Sequence, residues 1–259
     1  MDLGIAGRKA IVCASSAGLG RACALELARA GVDVVVNGRD AAKLGETAAA
    51  IRAETGVRVT EVVGDLSTEQ GRAALLAACP DPDILVNNNG GPPLKPYTEL
   101  EADGIRAGIE ANFVTPALLI QAVLPGMVAR GFGRVVNITS GSVKMPLPGL
   151  DLSSGARAGL TGFVAGIARQ VAGSNVTING LLPGSFDTAR IASMTQAAAK
   201  KNGTTPAEEK AKRAESIPAK RIGDPAEFGA ACAFLCSDKA GFITGQSLLI
   251  DGGAFPGIL

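Results

Sequence analysis

The sequence predicts an α/β protein built on a doubly wound, mainly seven-stranded parallel sheet with helices on both faces. Three observations predict it. Apolar runs of strand length alternate with alanine-rich, helix-length stretches through most of the 259 residues. The first such run passes through a tight, glycine-bearing turn directly into a helix. No internal repeat and no linker composition interrupts the alternation, so residues 1–259 read as a single domain.

The opening stretch, Ala10-Ile11-Val12-Cys13-Ala14-Ser15-Ser16-Ala17-Gly18-Leu19-Gly20, reads as buried strand, turn and helix start. That geometry leaves unpaired backbone N–H groups at a helix N-terminus, where a pyrophosphate can sit. Gly18 and Gly20 let the chain turn and approach a ligand closely. Ser15 and Ser16 add hydroxyl donors beside them. The spacing is G-x-x-x-G-x-G with Ala14 in the first glycine's place. The pattern G-x-G-x-x-G fails, because Cys23 stands where its third glycine would be. Alone, the loop fits a dinucleotide site or an ordinary strand-to-helix turn. Leu19, Cys23, Leu27 and Ala30 then mark one helical face.

Residues 32–37 read as the second strand and 41–54 as a helix with Asp40 as its N-cap. Residues 57–63 are the third strand, 68–78 a helix capped by Ser67, and 83–87 the fourth strand. A long helical stretch covers 101–129, bent by Pro116 and Pro125. Residues 134–139 form the fifth strand, 154–171 a helix, and 176–181 the sixth strand. A helix at 225–236 and a strand at Ser247–Ile250 close the alternation before Asp251-Gly252-Gly253. The one break is 186–219, a polar, basic segment with Lys200-Lys201-Asn202-Gly203 and Pro206 inside it. Doubly wound sheets bind ligands beyond the carboxyl ends of their strands, so this segment is placed to act as a substrate lid.

Apolar residues make up 47% and aromatics 3%, so the core relies on tightly packed alanine and aliphatic side chains. A net charge of +1 gives no reason to expect nucleic acid or an anionic membrane surface as partner. No apolar run approaches the length of a spanning helix, and no basic segment followed by an apolar one opens the chain. A soluble, cytoplasmic protein is expected. The five cysteines form no disulfide-like framework. Cys232 and Cys236 lack a histidine partner, make a poor metal site, and read as small buried apolar side chains. The chain has no histidine, which excludes Ser-His-Asp and Cys-His mechanisms and removes the commonest metal ligand. No metal is expected.

Further short motifs occur in order: Gly64-Asp65-Leu66, Asn87-Asn88-Asn89-Gly90, Asn112, Ile138-Thr139-Ser140, and Pro183-Gly184 followed by Thr188. Arg221-Ile222-Gly223-Asp224-Pro225, Ile243-Thr244-Gly245-Gln246 and Asp251-Gly252-Gly253 complete the series. By this ordered set the chain resembles the short-chain dehydrogenase/reductase family over nearly its whole length, and its tail resembles the 3-oxoacyl-carrier-protein reductase branch. The resemblance implies a Rossmann-like fold and a dinucleotide on the Gly18-Leu19-Gly20 turn. It places Asp65 and Leu66 at the adenine, Asn89 and Gly90 along the groove, and Pro183, Gly184 and Thr188 at the nicotinamide end. The family's Asn-Asn-Ala-Gly carries Asn89 here in place of alanine. A homo-oligomer, in particular a tetramer, is also implied, with the helices after Glu101 and Ser154 pairing across a two-fold axis. Gly155, Ala158, Gly159 and Gly162 permit close approach there, and the apolar tail 255–259 is suited to pack on a neighbour.

The second strand ends Asn37-Gly38-Arg39. No acid stands there to accept a ribose 2′-hydroxyl, and Arg39 offers a planar cation to a 2′-phosphate. NADP(H) is therefore the expected cofactor, although Ala17 stands where many NADP-dependent relatives carry a second basic residue.

The family's chemistry uses Ser, Tyr-x-x-x-Lys and Asn. Ser140 and Asn112 match. The tyrosine position holds Ser153 and the lysine position holds Arg157, so Tyr-x-x-x-Lys has become Ser-x-x-x-Arg. Arg157 can bind the cofactor ribose and supply positive charge, but an arginine with its usual pKa above 12 does not shuttle protons. The Ser153 hydroxyl stops roughly 4 Å short of a tyrosine oxygen, a gap one water can span. The only tyrosine is Tyr97. Lys95, Lys144 and Asp151 border the predicted pocket, and Met145, Leu147, Leu150, Phe186, Ile191 and Met194 suggest an apolar lining. Two functions follow. One is an NADPH-dependent carbonyl reductase, acting on an acyl or other apolar carbonyl substrate with a non-standard proton donor. The other is a nucleotide-binding protein of reductase fold that serves as a sensor or partner subunit.

Overall fold

The computed structural model describes residues 1–92 and 94–257. Its strands are β1 (Lys9–Val12), β2 (Asp33–Gly38), β3 (Val59–Val63), β4 (Ile84–Asn87), β5 (Gly133–Ile138), β6 (Val176–Pro183) and β7 (Ser247–Ile250). They form one seven-stranded sheet in the order β3-β2-β1-β4-β5-β6-β7, with every pairing parallel. Val12 lies between Val36 and Val86, so the sheet centre is branched and aliphatic. Alternation sends Val12, Val34 and Val36 to one face and Ile11 and Val35 to the other, each into its own buried cluster. The winding reverses between β1 and β4, which opens a crevice at their carboxyl ends.

One face is covered by α1 (Gly18–Arg29), α2 (Ala41–Thr55) and α9 (Pro225–Leu235). The first and last of these pack closely: a Cβ on Gly229 would stand 2.5 Å from the Ala22 carbonyl oxygen. Cys23, Cys232 and Cys236 are buried on this side, and Cys13 and Cys79 belong to the other core; all five are free thiols. Burial pushes the Cys13 thiol up to about 12. The opposite face carries α3 (Glu69–Ala78), α5 (Thr115–Arg130) and α6 (Asp151–Val171). At the end of the sheet away from the crevice, the Phe132 ring lies between the guanidinium carbons of Arg8 at 3.6 Å and Arg134 at 4.3 Å.

Several expectations need correction. The cap before α3 is Thr68, whose hydroxyl accepts the Gly71 N–H at 3.1 Å; the Ser67 N–H is held by Asp65. Helix α6 begins at Asp151 rather than 154, so Ser153 is a helical residue. The stretch 101–129 is two helices, α4 (Ala102–Ile109) and α5, joined by a π turn at Glu110–Val114. Pro116 opens α5 and has no N–H to donate to the Asn112 carbonyl four residues back. Taken as one segment, Ala102–Arg130 is long and apolar enough to cross a membrane, contrary to the expectation of no such run. Its Leu119, Ile120, Val123 and Met127 are buried in the core beneath the sheet.

The segment 186–219 is a helical excursion: α7 (Ala189–Asn202), a left-handed Gly203, then α8 (Pro206–Ser216). Thr205 and Glu208 form a capping box at the start of α8. Within the apolar tail, Ile258 and Leu259 lie outside the described residues, as does Pro93 beside the Tyr97 loop.

Candidate active site

The turn after β1 is built on Ala14, which holds a left-handed φ of 44° where glycine is the usual occupant. Its N–H donates to Asn37 Oδ1 at 3.2 Å, and its carbonyl accepts Asn88 Nδ2 at 3.2 Å. Gly20 faces that carbonyl, and a Cβ there would come within 2.4 Å of it, so the first turn of α1 can lie this close only with glycine. Ala17 precedes α1 without any side-chain cap, which leaves the N–H groups of Gly18, Leu19 and Gly20 aimed into the crevice. Ser16 is half-buried beside Gly38 and keeps its hydroxyl free of protein partners. Ser15 does not serve as expected. Its side chain is fully buried, donates to the Val12 carbonyl at 2.7 Å and accepts the Asn37 N–H at 3.0 Å, so it ties β1 to β2 instead of facing a ligand.

At the end of β2, Arg39 is 79% exposed, and its nearest acid is Asp65 at 3.8 Å. Asp40 is committed to the cap of α2, where it accepts the Lys43 N–H at 3.1 Å. Asp65 accepts the Ser67 N–H, and Leu66 is buried in the core with only its edge on the crevice. On the far lip, Thr188 caps α7, and its methyl lies 3.6 Å from where a Cβ on Gly18 would stand. Pro183 ends β6, and Gly184 is wedged against Asp251, whose Cα lies 2.7 Å from its Cβ position. An uncapped helix start, a glycine cradle that a Cβ would fill and an exposed guanidinium at the end of β2, paired only with Asp65 at 3.8 Å, fit a dinucleotide phosphate set.

Asn89, the departure from the expected alanine, spans two elements. Its Nδ2 donates to the Ala111 carbonyl at 3.1 Å, inside the π turn, and its Oδ1 accepts the Gly90 N–H at 2.8 Å. Asn112 lies in the same turn, is buried, and donates to the Gly108 carbonyl at 3.2 Å. Its Oδ1 has no hydrogen-bond partner among the described residues. It borders a cavity of about 20 Å³, the room one water needs, shared with Asn89, Thr115, Ile138 and Arg157.

The Ser153 and Arg157 pair is directly bonded. Ser153 is 5% exposed, and its hydroxyl accepts Arg157 Nε–H at 3.2 Å, one helical turn away. The guanidinium also donates to the Ile138 carbonyl at 2.7 Å and the Asn89 carbonyl at 3.3 Å. Burial, assisted by Arg190, pushes the Arg157 pKa down to about 10. This corrects the expectation of a value above 12, yet leaves the group charged at neutral pH. Ser140 ends the β5 loop; its Oγ accepts the Ser142 N–H at 3.1 Å and the Ser142 hydroxyl at 2.9 Å, so its own proton is free to donate.

The remaining candidates divide. Tyr97 is 75% exposed in a single 3-10 turn, whereas Ser153 is buried. Lys95 pairs its backbone with Gly149 on the rim. Lys144 and Met145 follow Ser140 and are half-buried, whereas Asp151 is exposed on the first turn of α6. Phe186 is not pocket lining: it is buried edge-on against Phe228, ring centres 5.2 Å apart. Ile191 is buried as well, while Leu147, Leu150 and Met194 keep accessible surface. Sequence reasoning missed Asn37, whose Nδ2 bonds to the Val62 and Gly64 carbonyls at 3.0 and 3.2 Å, and it missed Arg190. A buried polar residue closing an otherwise apolar strand was the available signal for the first. Among the described residues no cluster of three or more His, Cys, Asp or Glu could hold a metal ion.

Comparison with known proteins bears on this arrangement. The family model described as Enoyl-(Acyl carrier protein) reductase matches residues 13–254. The chain is 32% identical to the (2S)-[(R)-hydroxy(phenyl)methyl]succinyl-CoA dehydrogenase subunit BbsC of Thauera aromatica, over 95% of this chain and 94% of that one. It is 30% identical to the 3-oxoacyl-[acyl-carrier-protein] reductase FabG of Aquifex aeolicus, over 98% and 100%. Among solved structures, the L-sorbose reductase of Gluconobacter frateurii complexed with NADPH and L-sorbose superposes with a TM-score of 0.94 at 29% identity, covering 100% of both chains.

Proposed function

The chain belongs to the short-chain dehydrogenase/reductase family, and we propose that it is an NADP(H)-dependent oxidoreductase that reduces a carbonyl group, in a 3-oxoacyl or other apolar ketone substrate. The observation that carries this reading is the cofactor groove beside Ser140 and Asn112, with the exposed Arg39 at its ribose end held only by a 3.8 Å ion pair to Asp65. The 3-oxoacyl reductase and the NADPH-bound sorbose reductase among its relatives support both cofactor and substrate class. A bound nicotinamide supplies the hydride. The Ser140 hydroxyl donates a hydrogen bond to the carbonyl oxygen and fixes its position, and the proton that completes the alcohol comes from water. Arg157 keeps a fixed positive charge under the site, which favours negative charge developing on that oxygen. Ser153, held at its oxygen by Arg157 Nε–H, directs its own proton outward, and one water spans the remaining distance. The hairpin of α7 and α8 closes over the substrate as a lid, in a cytoplasmic homotetramer.

The test is a screen of ketones, 3-oxoacyl thioesters, imines and activated alkenes, read by loss of NADPH absorbance. Slow turnover of a carbonyl class supports the reading, since loss of a positioned acid costs about 10²–10⁴ in rate.

A second reading has its own support. Ser153 is buried, Tyr97 is exposed, and one relative is by name a dehydrogenase subunit. On that reading the chain binds the nucleotide and completes a partner enzyme. Tight NADPH binding with no oxidation by any carbonyl, together with activity gained on adding a second chain, selects it.

A further inference from the structure

Two guanidinium groups bracket residues 89–91, in the segment after β4. Arg157 donates to the Asn89 carbonyl from within the core, and Arg190 Nη1 donates to the Gly91 carbonyl at 3.4 Å from the crevice side. Among the described residues neither forms an ion pair. Asp187, the acid nearest Arg190 in sequence, is taken by Lys210 at 2.7 Å. Two like charges thus face each other without compensation, and Arg190 is one cause of the lowered Arg157 pKa.

Arg190 also spans the crevice. It rises from the first turn of α7, the turn whose Thr188 rests on Gly18, and crosses to the opposite lip at Gly91. Its guanidinium lies on Gly91 so closely that a Cβ there would be 3.1–3.3 Å from three of its atoms. The start of α1 lies at the foot of this crossing, since Thr188, two residues before Arg190, is 3.6 Å from the Cβ position of Gly18. The turn that leads into α1, from Ala14 to Gly20, contains no cation; the next basic residue, Arg21, is exposed on the helix beyond it. A pyrophosphate resting on that turn would meet N–H groups from below and lack a formal positive charge, unless one comes from above.

We propose that Arg190 supplies that charge: it is the cationic ligand of the cofactor's pyrophosphate, laid across the groove as a strap. The inference rests on the dinucleotide reading above. A guanidinium fork can hold two phosphate oxygens while one of its N–H groups stays on the Gly91 carbonyl. Because NADPH and NADH share the pyrophosphate, Arg190 adds affinity for both and selects neither.

The experiment measures dissociation constants of NADPH, NADH and adenosine 2′-monophosphate for the wild type, R190A and R190K, by calorimetry and quenching of nucleotide fluorescence. Arg190 is exposed, and circular dichroism checks that the variants are folded. R190A is expected to weaken NADPH and NADH together by about tenfold to hundredfold and to leave adenosine 2′-monophosphate within about twofold, with R190K intermediate. Dinucleotide affinities unchanged in R190A overturn the proposal, as does a loss confined to NADPH. So does a loss seen only with a carboxylate-bearing substrate, which would put the guanidinium on the substrate instead. A wild-type protein that binds neither dinucleotide refutes the cofactor reading itself, an outcome distinct from a wild type that binds and an R190A variant that binds equally well.

Discussion

Ala14 occupies a left-handed backbone conformation that costs an L-residue about 1–2 kcal/mol, a cost glycine largely avoids. Glycine loses more entropy on folding, so the net gain of Ala14→Gly should be about 0.5–1 kcal/mol, a rise in melting temperature of roughly 1–4 °C by calorimetry. At the ribose end, Arg39→Asp should weaken NADPH about tenfold to hundredfold and NADH far less, measured as dissociation constants, because only NADPH carries the 2′-phosphate. At the centre, Ser153→Tyr with Arg157→Lys restores the family's acid beside a Ser140 and an Asn112 already in place. Reduction of a simple ketone should rise by about one or more orders of magnitude, against an overpacking cost of roughly 1–3 kcal/mol at so buried a position. Tyr97→Phe in the natural protein is the control, and it should leave the rate unchanged. These substitutions were legible in the sequence because each sits at a fixed distance from a motif. The bonding of Arg157 to the Ile138 and Asn89 carbonyls was not, since those partners lie 19 and 68 residues away.

At the scale of elements, strand positions and most helix ends could be read from apolar period and capping chemistry, and Asp40 is the cap its side chain suggests. The π turn could not be read, because its i to i−5 bonding leaves no compositional trace beyond the proline that follows it. Yet that turn is what aims Asn112 into the cavity, and Asn89 holds it there. The α7–α8 hairpin depends on surface carboxylates. Glu209 is held down at about 2 by hydrogen bonds from Thr204, Lys212 and Asn202, and Glu208 is held below its usual range by Thr205. Carboxylates lowered in the folded state contribute stability that is full above about 4.5 and fades as pH falls toward about 2. Amides of α8 should therefore exchange with solvent earlier than those of β1 or β5 as pH is lowered through that window, followed by hydrogen exchange with mass spectrometry. Uniform protection across the molecule would remove the carboxylates from that role.

The whole molecule presents apolar surface that a monomer leaves wet. Ile105, Ile109 and Leu118 are exposed along α4 and α5, and Phe163 is exposed on α6 beside Gly155, Gly159 and Gly162. Light scattering should report a tetramer at micromolar concentration; a monomer there would leave these faces without the pairing proposed for them. Parallel topology also sets when the site can exist. The turn after β1 leads into α1, and α1 leans on α9, where Gly229 sits under the Ala22 carbonyl. During synthesis, every strand from β1 to β6 is made before that support arrives. The turn is therefore made long before its support, and a nascent chain that still lacks α9 holds α1 without the face it packs on.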